Sequence, residues 1–110
     1  MLERESGGRP APKKDDVVAA LKALEPKLRG RGGVSAALFG SILHGTARPD
    51  SDVDVLIGVN PVAPSDLIDL VGIKNLLGDR LGREIDVVER DSLKPMIRDS
   101  ILTEAETVFG

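Results

Sequence analysis

Leu38-Phe39-Gly40-Ser41-Ile42-Leu43-His44-Gly45-Thr46-Ala47-Arg48-Pro49-Asp50-Ser51-Asp52-Val53-Asp54-Val55-Leu56-Ile57 is the stretch around which the rest of the chain is arranged. An apolar run enters a small-residue turn at Gly40-Ser41, and a second glycine, Gly45, follows. Without Cβ atoms such a turn can approach phosphates closely and aim its N–H groups at them, with the Ser41 hydroxyl as a further donor. Asp52 and Asp54 then open a second apolar run. Residues two apart in a strand project from one face, so both carboxylates can converge on one site.

The flanks give this stretch a framework. Residues 34–39 read as a buried strand that delivers the chain into the turn, 42–44 as one helical turn, and 53–59 as a second strand closed by Asn60-Pro61 and Pro64. Upstream, a helix is expected from Asp15-Asp16, with Val17, Leu21, Leu24 and Leu28 on one stripe. Pro26 lacks an N–H and crowds the carbonyl four residues back, which predicts a kink or an end near Glu25. Residues 1–14 carry Gly, Pro and charge without periodicity and read as a flexible tail, leaving 15–110 as one domain.

Downstream, Ser65-Asp66 can cap a helix in which Leu67, Leu70, Val71, Ile73, Leu76, Leu77 and Leu81 recur at helical intervals, with Gly78 and Gly82 at its end. Residues 84–89 read as a third strand, Ile85 and Val87 facing one way and Asp86 and Val88 the other. A last helix over 93–106 carries Met96, Ile97, Ile101, Leu102 and Ala105. The order gives an α/β (α+β) fold, a small mixed sheet with helices packed on it.

Asp86 joins Asp52 and Asp54 if the second and third strands are neighbours. Three carboxylates on one face repel one another unless a divalent cation neutralises them, and hard oxygen ligands suit Mg²⁺ or Mn²⁺. Two such ions, about 3.5–4 Å apart, would hold the attacking and leaving oxygens of a displacement at phosphorus, so the residues point to metal-assisted nucleotidyl transfer. Glu84 shares the face of Asp86 but sits nearer the strand's start. His44 has no His or Cys at ligand spacing and reads as a packing or solvent residue. Thr46 and Arg48 read as structural or solvated, and Asp50 as shaping the turn.

Composition narrows the setting. The 110 residues suffice for one core but are few for an enzyme that must enclose two substrates. A net charge of −3 argues against direct nucleic-acid binding, and the basic clusters at 13–14 and 27–31 read as solvated surface. There is no cysteine, hence no disulfide, thiolate site or cysteine nucleophile, which fits a cytoplasmic location. No apolar run reaches the roughly 18 residues of a membrane span. Phe39 and Phe109 are the only aromatic residues, so a base cannot stack on Tyr or Trp of this chain.

Over residues 38–57 and 84–88 the sequence resembles the minimal nucleotidyltransferases, small prokaryotic relatives of kanamycin nucleotidyltransferase and DNA polymerase β. The resemblance implies the nucleotidyltransferase fold, with Gly40, Ser41 and Gly45 at the nucleotide phosphates and Asp52, Asp54 and Asp86 as the catalytic, metal-binding acids. Larger relatives add a helical domain for the acceptor. Minimal members are typically paired with a helical toxin of the HEPN class, and the resemblance implies an antitoxin that transfers AMP from ATP to a tyrosine hydroxyl of that toxin. Two other readings stand beside it: an inactive module that masks a toxin by contact, and a transferase acting on a small molecule or nucleic-acid end.

Overall fold

The computed structural model describes residues 12–45, 47–48, 52–60, 62 and 68–110. Helix α1 (Lys14–Gly30) carries Asp15 and Asp16 in its first turn and Lys27 and Arg29 in its last, both signs favourable to the helix dipole. It buries Val17, Ala20, Leu21, Leu24 and Leu28, the stripe expected with Ala20 added. It starts at Lys14, the last residue assigned to the tail, of which 1–11 lie outside the described residues. Pro26 neither ends the helix nor stops it short of Gly30. Pro26 and Lys22 both lie on the exposed side, where water can take the place of the donor that the Lys22 carbonyl loses.

After a turn with Gly32 at φ 97° come β1 (Gly33–Phe39), α2 (Ser41–His44) and β2 (Val53–Val59). Helix α3 (Leu70–Leu81), β3 (Ile85–Glu89), a 3-10 turn (Arg90–Ser92), α4 (Pro95–Glu104) and β4 (Glu106–Phe109) follow. The strands lie in the order β3-β2-β1-β4. β1 is antiparallel to β2 and β4, whereas β2 and β3 are parallel, so the sheet is mixed as expected.

Helices α1 and α3 cover one sheet face. There Val53, Val55, Ile57 and Val59 of β2 meet Ala36 and Leu38 of β1, Ile85 of β3, Ile73 and Leu77 of α3 and the leucines of α1. Burying each large aliphatic side chain contributes about 1.5–3 kcal/mol relative to leaving it exposed. The proposed cap at Ser65-Asp66, and Leu67, lie outside the described residues. The observed cap of α3 is Asp69, whose carboxylate accepts from the Gly72 N–H at 2.8 Å and from Arg31 Nη1 at 2.6 Å. Those contacts, the Gly72 N–H first and Arg31 next, hold the Asp69 carboxyl below its ordinary value. They also tie the end of α1 to the start of α3.

The last stretch departs from expectation. The helix expected over 93–106 is the shorter α4, and the chain turns extended at Ala105 to enter β4. No residue of α4 is buried: Met96 is 94% exposed and Ile97 47%. Helical spacing of apolar residues therefore described the helix correctly but not its burial. Phe109 is buried beneath the Arg29 guanidinium, 5.1 Å from its ring centroid, and Lys14 Nζ reaches Glu106 Oε1 at 2.9 Å. Among the described residues no helix is long and apolar enough to cross a membrane.

Candidate active site

The parallel register of β2 and β3 sets Asp54 directly beside Asp86. Both side chains leave the face opposite α1 and α3, since Val53 and Val55 on either side of Asp54 are buried in the core, as is Ile85 beside Asp86. The two carboxyl groups stand side by side across the strand pair, and Asp52, exposed one residue before β2, adds a third negative charge within reach. Burial, foremost, holds the Asp54 carboxyl above its ordinary value; the neighbouring charges of Asp86 and Asp52 act in the same sense. The three acids singled out by sequence thus lie on one patch. Among the described residues no three His, Cys, Asp or Glu side chains are grouped tightly enough to hold a metal ion.

The turn approaches the same patch from the neighbouring strand. Phe39 is paired with Asp54 across β1 and β2, so Gly40 follows immediately beside the carboxylate. Its φ of 82° lies in the left-handed region, and a Cβ there would run into Asp54 Oδ2. Gly40 therefore makes room for Asp54 as well as for the turn, a second role that spacing alone does not reveal. From Gly40 the chain enters α2 directly. Ile42 on α2 is buried and anchors it to the core.

Gly45 stands at the other end of α2, at φ 69°, and its N–H is donated to the Ser41 carbonyl. It ends the helical turn, and an added Cβ would meet open space. His44, expected to pack or face solvent, is exposed and places Nε2 3.0 Å from Glu104 Oε1, joining α2 to α4. Arg48 is exposed; Thr46, Asp50 and Ser51 lie outside the described residues. Glu84 sits just before β3, with its carbonyl accepting from the Val53 N–H at 3.3 Å.

A small-residue turn set against paired carboxylates on adjacent strands defines a class of phosphate-handling enzymes, and the comparisons say which. Residues 16–108 match the model of the nucleotidyltransferase domain family. The protein adenylyltransferase MntA of Thermococcus cleftensis is 35% identical over 91 residues, 82% of this chain and 90% of that protein. The solved structure of a protein described as a minimal nucleotidyltransferase superposes with a TM-score of 0.71 at 29% identity, over 86% of this chain and 94% of that one. A chain from the complex of a tri-AMPylated HEPN toxin with an MNT antitoxin of Shewanella oneidensis shares the fold, at TM-score 0.59 and 15% identity over 88% and 71% of the two chains. The chain belongs to the nucleotidyltransferase domain family, and within it to the minimal nucleotidyltransferases.

Proposed function

We propose that this enzyme transfers AMP from ATP to a hydroxyl, a tyrosine in the first instance, of a HEPN-type partner and so acts as its antitoxin. The observation that carries the reading is the placement of Asp54 and Asp86 side by side on β2 and β3, next to a turn whose glycine leaves room for the Asp54 carboxylate. The name of the Thermococcus relative and the AMPylated toxin in the Shewanella complex support the choice of donor and acceptor. The chain itself holds no tyrosine, so a tyrosine acceptor has to come from another molecule.

The donor set suits a hard divalent cation. Asp54 and Asp86 side by side, with the charge of Asp52 nearby, are oxygen ligands whose mutual repulsion such a cation would relieve, its binding drawing together three side chains that are not grouped tightly enough for a metal as they stand. Asp52, Asp54 and Asp86 would hold Mg²⁺ or Mn²⁺, which would supply charge neutralisation at the reacting phosphate. Gly40 and Ser41 would orient the triphosphate, with Gly45 keeping the turn short. The acceptor oxygen forms its bond to the α-phosphorus as the bond to pyrophosphate breaks. Its proton passes to Asp86, which lies on the outermost of the acid-bearing strands.

The reading is tested by incubating the chain, its co-encoded helical neighbour, ATP labelled at the α-phosphate and Mg²⁺. The neighbour should gain an adenylyl mass on a hydroxyl side chain, and the chain should stay unlabelled. Asp52→Ala with Asp54→Ala should abolish the label. Neutralisation of the neighbour without modification, and equally well by the double variant, would replace the enzyme with a module that masks by contact.

A further inference from the structure

The chain has two aromatic side chains, and the fold gives them different settings. Phe109 is buried on the α1 side of the sheet, 8% exposed, with the Arg29 guanidinium over its ring. Phe39 closes β1 on the other face. Successive residues of a strand alternate between faces, and Ala36 and Leu38 are buried in the core against the helices, so Ala37 and Phe39 leave the face that carries Asp54 and Asp86. The register agrees, since Phe39 is paired with Asp54 and directly opposed residues share a face. Phe39 is half-buried, and it belongs neither to the core cluster nor to the half-buried residues packed against that cluster.

The pairing lays Phe39, Asp54 and Asp86 side by side on β1, β2 and β3 as one row, an aromatic followed by two acids. Gly40 and Ser41, assigned above to the triphosphate, follow Phe39 directly in the chain, so the aromatic end of the row is the donor end. Asp86, assigned to the proton of the acceptor, is the other end, two strand spacings or about 10 Å away. Ala37 and Leu56, 9% and 3% exposed and outside the core cluster, extend the apolar surface behind the acids. Phe39 is the half-open member of that surface.

We infer that Phe39 is the platform on which the adenine of ATP stacks. The inference rests on the ATP-dependent reading above and places the one part of the donor which that reading leaves without a contact. A flat base is held in an open site by stacking on an aromatic face. With no Trp or Tyr in the chain and Phe109 in the core, Phe39 is the aromatic residue available to the site. Adenine is joined to the α-phosphate through one ribose, a reach that covers the single strand spacing of about 4.8 Å between Asp54 and Phe39. A tyrosine acceptor whose hydroxyl sits at Asp86 has Asp54 between its ring and Phe39, so the occupant of the platform is the base. Stacking reads the flat face of a base and not its edges, so the platform favours purines over pyrimidines by area.

The test uses the full chain with Mg²⁺, and its probes are ATP, CTP and inorganic triphosphate, which carries the phosphates without a base. Phe39→Leu keeps an apolar side chain and removes the flat face. Its affinity for ATP by calorimetry should fall about tenfold, the scale of one lost base stack, with triphosphate affinity unchanged and the preference for ATP over CTP reduced. Phe39→Trp keeps a flat face, should hold ATP at least as tightly as the wild type, and gives a chain without Trp or Tyr a strong fluorophore. Its emission should be quenched by ATP and left unchanged by triphosphate. Equal losses of ATP and triphosphate affinity in Phe39→Leu would mean that Phe39 acts by shaping the turn, and would overturn the platform. Unchanged ATP affinity in Phe39→Leu, or indole emission that ignores bound ATP, would overturn it as well. Transfer is scored separately: a wild type that binds ATP but labels no protein overturns only the protein-acceptor reading, whereas one that binds no nucleotide overturns both.

Discussion

The two faces of β2 do opposite work from the same seven residues. Val53, Val55, Ile57 and Val59 form a dry wall against α1 and α3, all of them 6% exposed or less. One step out of phase, Asp54 leaves the other face and meets a second carboxylate. The first set gains free energy from leaving water; the second is held in proximity at some cost, since the fold disfavours the charged form of Asp54. The alternation means that stability and chemistry lie a single residue apart and can be separated by single substitutions.

The largest effect should fall on the acidic face. Asp54→Asn is expected to reduce transfer roughly 10³-fold, about 4 kcal/mol of lost transition-state stabilisation, when adenylylation rates are compared. Its metal-free melting temperature should not fall. The folded pKa of Asp54 lies above the unfolded one, so stability from this group is greatest below the unfolded pKa and declines as pH rises through the folded one. A melting temperature well below wild type at pH 7 would show the two faces to be coupled. On the dry face, Leu77→Ala empties a fully buried site and should cost about 2–5 kcal/mol in denaturant titration. The transfer rate per folded molecule should stay unchanged.

Gly40→Ala probes the point where the turn leans on the acid. A Cβ at positive φ that meets the Asp54 carboxylate should weaken ATP binding about tenfold by calorimetry, with only a modest loss of stability. Asp69 is smaller still and of opposite pH sense to Asp54. Its folded pKa is depressed, so its stabilisation is present above the unfolded pKa and is lost as pH falls through the folded one. Asp69→Asn keeps a cap for α3 but should flatten that acid-side loss in melting temperature recorded against pH, with little change in transfer. Met96→Ser, at a side chain 94% exposed, should leave stability within about 0.5 kcal/mol.

The shared face of Asp52 and Asp54 and the turn beside it were legible because their signals are local. Gly40-Ser41 and Asp52-Val53-Asp54 each fit within one turn or one strand, and the alternation of Ile85, Asp86 and Val87 gave the face of the third acid. Whether Asp86 would lie beside Asp54 was not legible, since strand order is set by how α3 crosses the sheet. β4 was missed for a related reason. Glu106-Thr107-Val108-Phe109 is four residues long and directly follows a helix, so only its partner β1, far away in sequence, identifies it as a strand. Pro26 does not end the helix as one of its two expected outcomes had it: the penalty depends on whether the orphaned carbonyl is dry, and Pro26 and Lys22 lie on the exposed side.

The pairing of β1 with β4 also sets an order of events during synthesis. β1 emerges early and can join β2 at once, but its second edge finds no partner until residues 106–109 have been made. At ribosomal speeds that interval is on the order of several seconds, long compared with hairpin formation. Through it, an apolar strand of the nascent chain shows one bare edge, the condition under which strands pair with the wrong neighbour. Deleting residues 106–109 would make that transient state permanent.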